Sequence, residues 1–325
     1  MRHDESDREA SDSLDELLEA HEAGTLSPTR YLAALTQLAE RYPNFIDGHA
    51  HLGFALLKQG RAKLALQASQ RGLSIAETAI GKAFTGPIKW EWLENRPFLR
   101  AAQGVALCLH ALNRGREAIA MMERLLAWNP DDNQGIRFLL GSEYLRAGHT
   151  KKAVDIMSKE AEHHPPYLYE LALIDFMAGR MVVAATRLRR AFMANGYVPE
   201  ILCGTPRPWP LAIWHGSNLA EPQIAADYID HYGDLWHSAP GATAFLRWLH
   251  THPKVLGERA VVYALKEELL WEHDFEKRKS LLDRHDDLIA AIDDVISHEI
   301  VVKRACRDGK TIEPWLYPAT VEYYF

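Results

Sequence analysis

Sixteen histidines stand in this chain, and histidine suggests metal binding or acid–base chemistry. Their spacing argues against a metal site. His49 and His51 diverge on a helix, His163 and His164 are adjacent before two prolines, and His250 and His252 flank a helix end. None has the i, i+4 partner that sets two imidazoles of an HExxH site on one helical face. Cys108, Cys203 and Cys306 are far apart and form no zinc knuckle. No metal and no cofactor is expected. Neither a GxxxxGK[ST] phosphate loop nor a GxSxG nucleophile elbow occurs. The pairs Asp286-Asp287 and Asp293-Asp294 fall on an amphipathic helical stretch and read as a solvated face, as do Arg187, Arg189 and Arg190. One nucleophilic pairing is left, Cys203 with His215, in an aromatic insert that also holds Trp209 and Trp214. That insert could equally hold a small molecule. No residue is assigned as catalytic.

A helical repeat of about 34 residues must position these side chains. Residues 46–79 carry Leu52-Gly53, Gly60 and Ala65; residues 99–132 carry Ala106, Ala118 and Pro130. Residues 134–167 carry Leu140-Gly141, Tyr144, Gly148, Ala153 and Pro165, and a weaker copy over 165–198 has Leu171-Ala172, Gly179, Ala184 and Ala191. Two antiparallel helices per repeat, small residues at their crossing and a closing proline make the tetratricopeptide pattern. The expected fold is all-α: a right-handed tetratricopeptide-type α-solenoid over 11–250, with an irregular insert and a helical C-terminal cap.

The rest of the chain fits around that array. Residues 1–10 read as a disordered acidic tail, with Ser11 or Ser13 capping a helix through His21. Ser27-Pro28 starts a second helix running to Arg41. Residues 80–95, with Trp90 and Trp92, break the repeat, and residues 200–216 form the second, proline-rich insert. Helices are expected over 221–236, 242–249 and 258–271. A stripe of Leu281, His285, Leu288, Ile292, Val295 and Val302 runs along 275–302. It could pack on the solenoid as a cap or join two copies of the chain. Residues 255–325 thus make a helical C-terminal region ending in an aromatic tail without helical period.

The net charge of −7 comes from residues 1–22, and the remainder is balanced. That excludes the basic footprint of nucleic-acid binding. No apolar run is long enough for a membrane span, and the odd, scattered cysteines fit a reducing cytoplasm.

Inner positions of the first helix in each repeat give the better site. They are Asp47, Phe54 and Lys58; Arg100, Gln103 and His110; Phe138, Ser142 and Arg146; Tyr169 and Phe176. Aromatic and basic groups on one face suit an extended peptide or an amphipathic helix from a protein partner. Ala50, Gln103, Phe138 and Tyr169 stand where a carboxylate clamp would need other residues, which disfavours chaperone tails.

ENRPFLRA (94–101), NPDDNQGIRFLL (129–140), NGYVPEIL (195–202) and the stretch 216–246 resemble, in the same order, segments of bacterial tetratricopeptide proteins. They also resemble the core of the eukaryotic suppressor-of-tumorigenicity-seven family. The resemblance covers roughly 45–250 and implies a tetratricopeptide fold with a binding role and no catalytic residues. The chain departs from the eukaryotic members in lacking their membrane spans, and around Trp209 from their Leu-Pro-Pro stretch. The strings also have structural duties: Asp131, Asp132 or Asn133 can cap a helix after Pro130, and Asn95 can cap another.

Overall fold

One turn, repeated, sets the helix pairs. A computed structural model of the chain describes residues 5–81, 83–305 and 309–316. At Gly60 the backbone turns left-handed, Gly60 N–H bonds Leu57 O and Arg61 N–H bonds Leu56 O. This is the Schellman pattern, which ties off orphan carbonyls at a helix end. The same two bonds recur around Gly24, Asn113, Gly148, Gly179 and Gly204. Asn113 is the one non-glycine of the set, and asparagine tolerates this conformation best among side-chain-bearing residues. Five residues beyond four of these turns stand Ala65, Ala118, Ala153 and Ala184, each fully buried. Of the marker residues, Gly60, Gly148 and Gly179 are therefore turns, and Ala65, Ala118, Ala153 and Ala184 are buried positions beyond them.

The chain divides into two compact units between His149 and Thr150. The first holds α1 (Glu5–Glu22), α2 (Pro28–Arg41), α3 (Ile46–Lys58), α4 (Ala62–Ile80), α5 (Arg96–Ala111), α6 (Gly115–Trp128) and α7 (Arg137–Arg146). Each helix from α2 packs on its successor, and α3 also packs on α5. Ser27 caps α2 through Arg30 N–H, as expected. Asp132 caps α7, accepting from Ile136 N–H and Arg137 N–H, both at 2.8 Å. Asn95 does not cap α5; its amide donates instead to Lys89 O.

The start of the chain differs from expectation. α1 begins at Glu5, so residues 5–10 are not a disordered tail, while residues 1–4 lie outside the described residues. Ala10 and Leu14, one turn apart, are both buried. Ser11 and Ser13 are interior to the helix, where the Ser13 hydroxyl bonds Glu9 O.

The second unit holds α8 (Thr150–Glu160), α9 (Pro165–Met177), α10 (Met181–Ala194), α11 (Tyr197–Leu202), α12 (Pro222–Ser238), α13 (Ala242–His250), α14 (Pro253–Trp271), α15 (Phe275–Ala290) and α16 (Asp294–Ile300). A two-residue ladder, β1 (Arg304–Ala305) with antiparallel β2 (Thr311–Ile312), is the only sheet among the described residues. The all-α class stands. The expected boundary near residue 250 does not: α10 packs on α13, α14 and α16. Ile300 and Trp315 share a core with Leu188, Phe192 and Phe245. The C-terminal helices thus complete this unit's interior. Residues 275–302, which carry the apolar stripe, form two helices, with Asp293 capping the second, α16, through Val295 N–H. That stripe is partly used inside, where Leu288, Ile289 and Ile292 pack with Met193 and Val262. Val295 and Val302 stay exposed. Cys306 and the tail 317–325 lie outside the described residues.

Arg189 overturns the solvated reading of its basic run. It is fully buried and bonds Glu258, Asp293 O and Ser297, joining α10 to α14 and α16. Asp294 is likewise engaged, by the Thr186 hydroxyl at 2.5 Å.

Two histidines of this unit give stability a pH dependence. Burial holds His164 down at about 4, and burial with nearby Arg259 holds His250 down at about 3. Both remain neutral in the fold where the unfolded chain takes up protons. Their contribution is therefore present above pH 6.5, the ordinary value, and is lost as pH falls toward those lowered values. Urea unfolding between pH 6.5 and 5, above most carboxylates, should show stability falling by up to about 1.4 kcal/mol per pH unit for each. A double His164→Asn, His250→Asn variant should have a shallower slope. An unchanged slope would contradict this.

Candidate functional site

The first-unit positions expected to line a groove do share helical faces. Asp47, Phe54 and Lys58 stand at seven- and four-residue steps on α3, with His51, not among the expected positions, between them on the same face. Arg100, Gln103 and His110 stand at three- and seven-residue steps on α5, and Phe138, Ser142 and Arg146 at four-residue steps on α7. What they form is a polar ladder. Asp47 accepts from Arg100 Nε at 2.8 Å and Nη2 at 2.5 Å, a two-pronged pair. His51 Nε2 lies 3.7 Å from the same carboxylate. Its pKa is lowered, burial outweighing the pull of Asp47. Gln134 Nε2 donates to Gln103 Oε1 at 2.8 Å and to Leu99 O at 2.9 Å. Buried Glu143 accepts at one oxygen from His110 Nδ1 at 2.9 Å and from Arg146 Nη1 at 3.0 Å.

Arg100 and Arg146 are therefore committed to carboxylates of their own chain, not held open for a ligand. Ser142 and His110 are buried. Phe54, Gln103 and Phe138 are half-buried and Lys58 is exposed, so these four keep a surface. The Phe54 ring lies against α5, where a Cβ on Gly104 would meet it at 3.9 Å.

The second-unit members are not surface anchors. Tyr169 is 0% exposed, with its hydroxyl 2.5 Å from Asn195 O and 3.1 Å from Ala191 O. Phe176 is buried and stacks on Phe245 at 5.1 Å. The reason is local: α9 packs against α8, α10, α12 and α13, so no side of it remains free for a groove.

The proline-rich insert is held by three clamps. Tyr197 Oη accepts from Leu211 N–H at 2.8 Å and lies 2.7 Å from His215 Nε2, with the two rings stacked. The Trp214 backbone N–H bonds Lys266 O at 2.8 Å. The Trp214 ring meets the Arg278 guanidinium at 5.3 Å and the edge of His285 at 6.3 Å. A depression of ≈ 1050 Å³ opens beside the insert, lined by residues that include Arg207, His215, Glu221 and Asp230. Of the four residues expected to form a pocket, only His215 lines it; Cys203, Trp209 and Trp214 do not. Trp209 is 89% exposed.

No hydrogen bond joins Cys203 to His215 among the described residues. Burial raises the Cys203 thiol, Arg247 opposing, so the thiolate needed for attack is disfavoured. Burial and Lys266 lower His215. Lys266 escaped the sequence reading: it is buried, donates to Met193 O at 2.8 Å, and burial brings its amine down to about 8. Its partner is a backbone carbonyl, which no side-chain pattern announces. No group of three or more histidine, cysteine, aspartate or glutamate side chains that could hold a metal occurs among the described residues. No described helix is long and apolar enough to cross a membrane. No protein-family model matches the chain, and no curated protein matches it.

Proposed function

We propose that the chain is a right-handed tetratricopeptide-type α-solenoid with a helical C-terminal cap, working in the cytoplasm as a binding scaffold. It is akin to the bacterial repeat proteins and the suppressor-of-tumorigenicity-seven core it resembles. Its ligand is an extended peptide or amphipathic helix of a protein partner. The recurring left-handed turn and the buried alanine beyond it support the repeat architecture. One observation carries the binding role: Phe54 and Phe138 keep open surface on the helices that the polar ladder joins, with Lys58 exposed beside Phe54. The ladder fixes the helices, which lowers the entropy cost of binding. Half-open aromatics supply the apolar anchors.

The test is selection from a displayed peptide library on the whole protein. A selected peptide should bind the wild type and fail on a Phe54→Ser, Phe138→Ser variant whose melting curve shows it folded. No enrichment, or equal binding to the variant, would refute the reading.

A further inference from the structure

The turns at Gly60 and Asn113 stand 53 residues apart, whereas the other neighbouring turns of the set stand 25 to 36 apart. The extra chain is residues 81–95, and helix pairing does not require it. Residues 88–95 of it are nevertheless pinned. Ile88 N–H bonds Trp128 O at 2.6 Å, Asn95 Nδ2 bonds Lys89 O at 2.8 Å, and Arg96 bonds Trp90 O while lying over its ring. A loop held this firmly still leaves Phe84 43% exposed and Trp92 65% exposed. Two depressions flank Phe84. One of ≈ 520 Å³ runs between Glu77, Phe98, Arg124 and Trp128; the other, of ≈ 400 Å³, lies against Ile80, Lys89 and Trp92. Ile80, Phe84 and Phe98 line both.

We propose that these two lobes form one site for a small organic anion with a flat aromatic body. Each lobe falls in the size range of small-molecule pockets, and each has three aromatic rings in its lining: Phe84 and Phe98 in both, with Trp128 in one and Trp92 in the other. Phe98 is buried and meets Trp128 edge-on at 4.8 Å, forming the floor, while the exposed rings of Phe84 and Trp92 are the ones that can stack on a guest. Arg124 lies over Trp128 at 4.5 Å and gives one donor to Glu77, at 2.5 Å, in a pair whose members are each about half exposed. Such pairs are weak and exchange readily. Arg124 has no other hydrogen-bond partner among the described residues, so its remaining donors can take a carboxylate or sulfonate. The other lobe is lined by both Lys89 and Glu94, so Arg124 is the cation that the anion meets.

The probes are 1-anilinonaphthalene-8-sulfonate and its neutral relative N-phenyl-1-naphthylamine, titrated into the full chain by fluorescence. One saturable site is expected for the sulfonate. Arg124→Gln should weaken the sulfonate about tenfold and the neutral probe less than about twofold. Phe84→Ala should weaken both about fivefold. Both side chains are well exposed, and melting curves confirm the fold; Phe84→Leu, which keeps an apolar side chain but no ring, serves as a second variant. No saturable binding, equal loss of both probes in Arg124→Gln, or affinities unmoved by either substitution would overturn the proposal. The Phe54→Ser, Phe138→Ser variant should bind the sulfonate normally, so this site and the peptide face can fail separately.

Discussion

Arg189→Ala is expected to cost about 3–5 kcal/mol of unfolding free energy. The side chain is 0% exposed and its guanidinium bonds three residues, Glu258 on α14 and Asp293 and Ser297 at the N-cap and middle of α16. Nε meets Glu258 Oε2 at 2.8 Å, Nη2 meets the other oxygen of Glu258, and Nη1 reaches Asp293 O at 2.7 Å and Ser297 Oγ at 2.8 Å. Thr186, one turn earlier on α10, bonds Ser297 as well, and Arg190 bonds Ile292 O. Truncation leaves the partly buried Glu258 carboxylate without its cation and removes a donor from Asp293 O and Ser297 Oγ. Removing both ionic partners, as Arg189→Met with Glu258→Met, should cost less than Arg189→Ala alone, because no unpaired charge remains. Urea unfolding of the three proteins decides it. A loss below about 1 kcal/mol for Arg189→Ala would return this residue to the solvated face that its basic run suggests.

Gly53→Ala is expected to cost about 1–3 kcal/mol, and a second change should restore most of it. A Cβ at Gly53 would stand 2.2 Å from Ser69 Oγ, and one at Gly104 would stand 2.5 Å from the same atom. Ser69 is fully buried where α3, α4 and α5 meet, and the glycines let the helices close around it. The Cys108 thiol, pushed up to about 11 by burial with Ser69 opposing, is a weak partner for that hydroxyl. Ser69→Ala should thus change stability little by itself. In the Gly53→Ala background it should recover more than half the loss, because the next contacts are 3.3 Å or longer. Thermal melts of the four members of this cycle measure the coupling. Additive losses would show that Ser69 is not the obstacle.

These cases mark where the sequence is legible. Gly60, Gly148 and Gly179 announce the turns, and Ala65, Ala118, Ala153 and Ala184 announce the contacts, because each does its work within a few residues of itself. Ser27 with Pro28 announces a helix start for the same reason. Pairings across long separations are silent. Nothing local says that Arg100 holds Asp47, that Glu143 gathers His110 and Arg146, or that Arg189 reaches Glu258. Burial on a second side is silent too. Tyr169 and Phe176 occupy face positions on α9, but α12 and α13 close over that helix from later in the chain. The unit boundary at His149 was missed because the repeat spacing continues through it, while the core-sharing of α14 and α16 with α10 is a tertiary property.

The peptide-binding face is the central claim, and one dissociation constant tests it most directly. A peptide selected on the whole protein is titrated against wild type and against the Phe54→Ser, Phe138→Ser variant, with both melting curves recorded. Loss of two half-buried aromatic anchors should weaken binding by about a hundredfold or more while the variant still melts cooperatively. Equal affinity in the two folded proteins would contradict the account.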